Sequence, residues 1–403
     1  MKSPRKRENC SPGARAGRGR RPVGLAAVAG LIVLAAGCAS QTAAVAPLSR
    51  EGTLTTSGGI VTGSAGRHHE SASRHHEKVA PAATSVAAAP GVKLTPAEHS
   101  FSIANSGVTG GALFGGNKEL LPIAPRLGRH LAIVRSFYAF GRSFPSATDR
   151  RLMVQHTTLL ASLELTGSGP TYATIASGAR DAYLRGFLKA MEQAAVRYGL
   201  HAIYFSFEHE PNIRAHARYG TPAAYRKAWA HVHALAQSAR LDWNQGGRLH
   251  WVLILTHRAY IPLSQRPRWA LRMGWAGEYY AGRSAVDAVG ADGYNSPGCK
   301  PRTYSGGTNA TPSSVFGPIV TWARLHGNLP VFLSEWAGSA TFPSRQVTFI
   351  RQMQPFVAAH KTIIGELYWN GTGQYCSYKV NSNPLSIAAL TALGHSSALQ
   401  GHV

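Results

Sequence analysis

Acidic residues are scarce in this chain. Of 403 residues only 18 are Asp or Glu, against 42 Lys or Arg, and the formal charge is +24 at pH 7. Four cysteines exclude a disulfide-dense scaffold. The Cys-x-x-Cys and His-Glu-x-x-His spacings are missing, as is the Gly-x-x-x-x-Gly-Lys-Ser/Thr loop, so neither the common zinc motifs nor a P-loop nucleotidase has support. The hydrophobic content of 44% argues against wholesale disorder and against a polytopic membrane protein.

The first 38 residues have the pattern of an export signal. Eight basic residues within 1–22 precede an apolar run at 23–37, which is short for a spanning helix of about 20 residues. Cys38 follows Gly37 directly, and this junction resembles a bacterial lipobox. The resemblance implies cleavage before Cys38 and lipid on its sulfur, which would hold the protein at the outer face of the bacterial cell membrane. The alternative is a plain secretory signal with an incidental cysteine.

Residues 39–95 are predicted to form a disordered linker, because they are rich in Ala, Ser, Thr and Gly and show little periodicity. A tandem Arg-His-His-Glu at 67–70 and 74–77 is interpreted as solvated linker rather than as a metal site. After removal of the signal the net charge stays near +17. This charge favours contact with anionic cell-wall polymers, and export argues against nucleic acid as a partner.

Residues 96–403 alternate short apolar runs with helical patterns. Eight strands are predicted, near 101–104 or 112–114 and then at 133–138, 159–163, 202–207, 250–255, 288–291, 331–334 and 363–369. Helices are predicted at 182–198, 222–239 and 344–359. Buried strands that alternate with helices indicate a parallel sheet, and eight such units fit a closed (β/α)8 TIM barrel. A doubly wound open sheet is the alternative.

Several of the few carboxylates fall at the ends of the predicted strands, where barrel enzymes place their catalytic groups. Glu208 and Glu210 follow the fourth strand, Asp292 the sixth and Glu335 the seventh, and Glu366 lies in the eighth. Two carboxyl groups that face one cavity are what glycosidic cleavage requires. Glu208 is expected to be a structural partner of Arg135 inside the barrel, with a charge that tunes the pKa of a neighbour as the alternative. Glu366 is expected to be a partner of a barrel arginine.

Motifs in this part of the chain resemble glycoside hydrolase family 26. They are His209-Glu210-Pro211-Asn212 after a strand, and the segments 178–183, 221–225, 228–232, 286–295 and 330–335. The resemblance implies a retaining double displacement with Glu210 as general acid/base and Glu335 as nucleophile. It further implies that His209 positions the acid, Tyr294 hydrogen-bonds the nucleophile and Trp369 forms a sugar platform.

Further contacts with substrate are expected from the same segments, at Asn212, Asp292 and Trp336. Asp292 has the alternative of bonding loop amides, and Trp336 that of packing in the core. The chain departs from the family where Pro211 follows the acid/base and where Asn370, instead of Arg, follows Trp369. These departures touch sugar recognition, so they place mannan in doubt as the substrate.

Two cysteines remain in the barrel region. Cys299 comes just after the sixth strand and Cys376 just after the eighth, on loops of the predicted catalytic face. In an exported protein a disulfide between them would brace the cleft; two reduced thiols are the alternative.

The sequence therefore predicts an exported, monomeric retaining endo-β-glycosidase, similar to an endo-β-1,4-mannanase, that needs neither a metal nor an organic cofactor. Its predicted partner is a β-linked polysaccharide, with β-mannan favoured. The alternatives are a barrel that binds glycan or cell wall without cutting it, and a β-1,3/1,4-glucanase, xylanase or transglycosylase on the same fold.

Overall fold

The computed structural model describes residues 102–266, 274–299, 309–373 and 376–403. The predicted export signal (1–38), its lipidation site Cys38 and the linker 39–95 lie outside the described residues. Among the helices of the described ranges, none is both long and apolar enough to span a membrane.

Eight parallel strands close into a barrel, in which β2 pairs with both β3 and β9. The barrel strands are β2 (Leu113–Asn117), β3 (Ile133–Ala139), β4 (Thr158–Glu164), β5 (Ile203–Phe207), β6 (Leu249–Thr256), β7 (Ala288–Asn295), β8 (Val331–Gly338) and β9 (Ile363–Tyr368). This confirms the predicted closed barrel over an open sheet. The first strand is the later of the two predicted positions, because Ile103–Asn105 is a 3-10 helix.

Helices connect the strands around the outside. They are α1 (Ala147–Val154), α2 (Tyr172–Ala176), α3 (Asp181–Arg197), α4 (Pro222–Ser238), α5 (Ala276–Tyr279), α6 (Pro312–Leu325), α7 (Pro343–Ala359) and α8 (Pro384–Gly394). Further 3-10 helices are Lys118–Leu127, Arg214–Tyr219, Trp243–Gln245, His257–Tyr260, Leu263–Gln265 and Val380–Ser382. The start of α4 follows the predicted cap: Thr221 Oγ1 accepts a hydrogen bond from the Ala224 amide at 3.2 Å, and Pro222 takes the first helical position.

The strands alternate between two apolar layers. Alternate side chains fill the barrel interior, among them Leu113, Ile133, Leu160, Tyr204, Ile254 and Phe332. Their neighbours along each strand point outward and pack under the helices in a larger cluster, as Phe114, Val134, Phe205 and Leu333 do. Both faces of every strand are thus buried, which is why the runs are continuously apolar.

A β-bulge interrupts the alternation in β8. Along β7, Gly290 and Asp292 are two residues apart, whereas their partners Phe332 and Glu335 are three apart. The same shift occurs against β9, between Leu333 and Trp336. One extra residue therefore reverses the side of the strand on which the following side chains lie. Glu335 consequently shares the inner side with Asp292, and Trp336 turns outward.

A small antiparallel sheet joins the two ends of the described chain. β1 (Thr109–Gly111) pairs with β10 (Leu399–His402). The sheet lies immediately before β2, at the end of the barrel opposite to the carboxyl ends of the strands. The Gly401 amide donates to the Ala112 carbonyl oxygen at 3.0 Å, which fixes this sheet to the start of β2.

Candidate active site

Glu335 lies at the carboxyl end of β8, almost buried at 7% exposure. The Tyr294 hydroxyl donates to its Oε2 at 2.5 Å, and the Arg135 Nε lies 3.7 Å from its Oε1. A hydroxyl donor and a guanidinium are both suited to hold a carboxylate in place.

Glu210 lies across the mouth, after the end of β5. Burial raises its pKa to about 7; the His209 charge opposes this rise and the Glu335 charge adds to it. The backbone here adopts left-handed geometry, with φ +55° at Glu208 and +49° at Glu210. Such conformations are uncommon outside glycine and concentrate at functional sites. The Glu208 amide bonds to β4 and the Glu210 amide to the Ile254 carbonyl oxygen of β6, so backbone bonds to both neighbouring strands hold this turn.

His209 is bonded to Glu164, the last residue of β4. Its Nδ1 lies 2.8 Å from Glu164 Oε1. Burial lowers the pKa of His209, but the bond to Glu164 and the charge of that carboxylate outweigh burial and raise the pKa to about 9. Burial likewise raises the pKa of Glu164, and the bond to His209 more than offsets it, so the pKa is lowered. Below about pH 9, His209 is therefore a cation held beside Glu210.

Arg135 occupies the interior below the carboxyl pair and is 1% exposed. Its Nη1 donates to Ser162 Oγ at 2.8 Å and to the Leu160 carbonyl oxygen at 3.2 Å. Its guanidinium carbon lies 4.3 Å from the centre of the Phe137 ring. These contacts fix the cation in position, so it balances the negative charge of Glu335 without needing solvent.

Asp292 is the third carboxyl at the mouth. It is 2% exposed, and neither of its oxygens has a hydrogen-bond partner among the described residues. Burial raises its pKa well above the usual range, and the charges of Glu335 and Glu210 raise it further. A protonated Asp292 is able to donate a hydrogen bond, and its contact with sugar hydroxyls stays a prediction.

Glu208 is not bonded to Arg135, which corrects the sequence prediction. Arg135 pairs instead with Glu335, and Glu208 Oε2 accepts from the Leu165 amide at 2.5 Å. Its Oε1 lies 3.1 Å from His216 Nδ1. Burial raises the pKa of Glu208 to about 8 and lowers that of His216 to about 4, so both are neutral at pH 7.

Two expected substrate contacts are contradicted by burial. Trp336 is fully buried, and its ring packs edge-on against Tyr368 at 5.0 Å, because the bulge in β8 turns it outward. Asn212 is 3% exposed, and its amide group bonds the Thr256 hydroxyl at 2.7 Å and the Thr256 amide at 3.2 Å. Both residues therefore pack beneath the rim of the barrel. Asn212 also joins the loop after β5 to the end of β6.

Trp369 remains half exposed at the mouth, as a platform would be. Its ring centre lies 6.0 Å from that of Phe137, which in turn lies 5.2 Å from the His209 ring. Glu366, by contrast, pairs in register with the outward-facing Phe114. It is fully buried away from the mouth; burial raises its pKa to about 8 and Arg129 opposes that shift.

Cys299 and Cys376 are joined by a disulfide whose Cα atoms are 5.2 Å apart. The bond links the segment after β7 to that after β9. Beside it, Ser296 Oγ and the Tyr378 hydroxyl are 2.8 Å apart, and the Tyr378 ring lies 4.7 Å from that of Tyr294. The disulfide therefore supports the residue that donates to Glu335.

One group of side chains in the described ranges is close enough to hold a metal ion. His209, Asp292 and Glu335 present ligand atoms within 4.8 Å of one another. The pKa values of His209 and Asp292 are both raised, so a metal ion would compete with protons for them.

Sequence reasoning missed Glu164 and Phe137, and it assigned Arg135 to Glu208 instead of Glu335. Glu164 ends β4 at the carboxyl rim, so the rule that selected Glu210 and Glu335 also applies to it. Arg135 is a lone cation inside an otherwise apolar strand, and such a charge needs a buried partner. Both signals are present in the sequence; only the pairing of Glu164 with His209 requires the fold.

No family model matches this chain, and no curated protein matches it. Solved structures do. An endo-β-1,4-mannanase double mutant from Cellulomonas fimi is 15% identical over 74% of this chain and 77% of that chain, with a TM-score of 0.50. A GH128 endo-β-1,3-glucanase from Sorangium cellulosum is 16% identical over 71% and 98%, with a TM-score of 0.43. The likeness to the mannanase shows a shared fold.

Proposed function

We propose that this protein is a retaining endo-β-glycosidase. The carrying observation is the unequal pair of carboxyl groups at the mouth: Glu210 with its pKa raised to about 7, and Glu335 bonded to Tyr294 and Arg135. Two carboxyl groups with different environments are what an acid and a nucleophile require.

In the first step Glu335 attacks the anomeric carbon while Glu210 gives its proton to the departing glycosidic oxygen. The bond to that oxygen breaks as the bond to Glu335 forms, and the sugar passes through an oxocarbenium-like transition state. In the second step Glu210, now ionised, takes a proton from water. The water oxygen then displaces Glu335 from the sugar and regenerates both groups.

The neighbouring residues support these steps. The charge of His209 favours ionisation of Glu210 as its proton leaves, and ionised Glu335 delays that loss until the substrate is bound. Asp292 and Trp369 are the candidates to hold the sugar at the cleaved bond. Neither step needs a metal ion or an organic cofactor.

The substrate we propose is a β-linked polysaccharide, with β-mannan favoured. Support comes from the motifs that resemble family 26 and from the shared fold with a bacterial mannanase. We also propose export, with Cys38 as lipid anchor at the outer face of the cell membrane, and a monomeric state. These proposals rest on the sequence of residues 1–38 and on the positive charge.

The test is hydrolysis by the purified full chain on a panel of β-mannans, xylans, β-1,4-glucans and β-1,3-glucans. Release of reducing ends from one polymer is expected, and loss of that activity in both Glu210→Gln and Glu335→Gln. Glu278→Gln, at an exposed position on α5, is the matched control and should stay active. A folded protein that binds a polymer but cuts none of the panel would contradict the proposal and favour a binding barrel.

A further inference from the structure

A polar pocket opens at the mouth beside Trp369. Its volume is about 660 Å³, and it lies between the loop that follows β2 and the segments that follow β9. The side chains that characterise it are Glu119, Arg126, Trp369, Thr372, Lys379 and Asn381. β2 and β9 are neighbours in the barrel, so this pocket is on the same rim as the carboxyl pair.

Trp369 lines this pocket and also lies beside the candidate active site. The Trp369 amide donates to the Trp336 carbonyl oxygen at 2.9 Å, one residue beyond Glu335. The Trp369 ring also reaches His209 by way of Phe137. A glycan chain that leaves the carboxyl pair over Trp369 therefore enters this pocket with its next sugar unit.

Asn370 joins the two walls of the pocket. Its amide donates to Asn117 Oδ1 at 3.0 Å, its Nδ2 donates to the Glu119 carbonyl oxygen at 2.8 Å, and its Oδ1 accepts from the Val380 amide at 2.8 Å. It is 4% exposed, so its side chain holds the two walls together and is not available to a ligand. Recognition in this pocket must come from the residues that the walls carry.

The walls carry an excess of positive charge. Arg126 on one side and Lys379 on the other are exposed, and within the described ranges neither has an ion-pair partner. Of the residues that the structure describes, Glu119 is the one carboxylate that lines the pocket. Two cations without an ion-pair partner therefore flank a concave site. Such an arrangement is suited to bind a carboxylate of a ligand.

We infer that this pocket is a subsite for a sugar unit that bears a carboxylate, such as a uronic acid within the β-linked chain. Arg126 and Lys379 bind the carboxylate, and Thr372 and Asn381 are placed for hydroxyl groups, next to the sugar unit that Trp369 holds. The inference rests on the proposed glycosidase function and narrows its substrate to an acidic β-glycan.

The test compares oligosaccharides that differ only at C6. β-1,4-linked mannose oligomers are paired with mannuronate oligomers, and glucose oligomers with their 6-carboxyl forms. For the full chain, kcat/KM is measured on each member at low and at high salt. The double variant Arg126→Gln/Lys379→Gln removes the two cations. The control Lys189→Gln/Arg324→Gln removes two exposed cations from α3 and α6, outside the pocket.

The expected result is selective. The double variant should lose about three- to tenfold in kcat/KM on the carboxylated oligomer, the range for two exposed ion pairs, and little on its neutral twin. Salt should reduce the preference for the carboxylated form in the unsubstituted protein only, because exposed pairs are screened. Equal loss on both oligomers, no loss on either, or the same loss in the control would overturn the inference.

Binding to the Glu335→Gln variant separates the two proposals. If nothing is cut but this variant binds the carboxylated oligomer through Arg126 and Lys379, the subsite stands and the glycosidase proposal fails. If a neutral oligomer is cut and the unsubstituted protein shows no preference for its carboxylated form, the glycosidase stands and the subsite fails. Absence of binding and of cleavage for every oligomer would overturn both.

Discussion

Replacing Glu164 by Gln tests whether His209 is a cation in the folded protein. Burial lowers the pKa of His209, and Glu164 outweighs burial to raise it to about 9 from a reference value of 6.5. The difference corresponds to about 3 kcal/mol, and 17% exposure of the His209 side chain reduces it to about 2 kcal/mol. The same interaction lowers the pKa of Glu164, so it is counted once.

The pH dependence follows from the raised pKa. A group with a higher pKa in the folded state stabilises fully below its unfolded pKa of 6.5, and the contribution is lost as pH rises through about 9. Glu164→Gln should therefore lower the free energy of unfolding by about 2 kcal/mol at pH 6, and by much less at pH 10. Urea unfolding of both proteins at the two pH values measures this. A difference that does not change with pH would refute a cationic His209.

Activity gives a second measurement on the same variant. The His209 charge lowers the pKa of Glu210 and has more effect on it than Glu164 has. Loss of the His209 proton should therefore move the basic limb of the kcat/KM profile to higher pH. Asp181→Asn, which breaks a His–carboxylate pair between α3 and α4, is the control and should leave the limb in place. A shift to lower pH would contradict the assignment.

Four further changes have defined outcomes. Tyr294→Phe removes a donor to the candidate nucleophile and should lower kcat by about 10- to 100-fold with little change in KM, measured by steady-state kinetics. Trp336→Ala should cost about 3–5 kcal/mol in urea unfolding, whereas Trp369→Ala should mainly raise KM; the reverse pattern would contradict their assigned burial. Reduction of the bond between Cys299 and Cys376, 77 residues apart, should destabilise by up to about 4 kcal/mol, read as a lower Tm.

The barrel could be predicted from the sequence because each strand is a short apolar run buried on both faces and bounded by a helix. The small sheet could not: β1 and β10 have three and four residues, and their partners lie at opposite ends of the barrel sequence. Pairing over such a separation leaves no local pattern.

The side-chain directions at the rim were harder to predict than the strands. Strict alternation from the inward Phe332 would point Trp336 inward and Glu335 outward, and the extra residue in β8 reverses both. Nothing in Leu333-Ser334-Glu335-Trp336 marks the bulge. The resemblance identified Glu335 as a candidate without that geometry, but it did not distinguish the buried Trp336 from the partly exposed Trp369. Asn212 was likewise expected to contact substrate, because the sequence does not show that its side-chain amide is hydrogen-bonded to Thr256.

The pairing of β1 with β10 also determines where the described chain enters and leaves the barrel. The chain approaches the barrel through Ser106, whose carbonyl oxygen accepts from Tyr204 inside the barrel floor, and β10 ends beside it. Both ends of the described chain thus emerge on the face opposite to Glu210 and Glu335. A surface or fusion partner attached at either end would be joined to the barrel at the amino-terminal ends of its strands. The mouth would then lie at the end of the barrel opposite to the point of attachment.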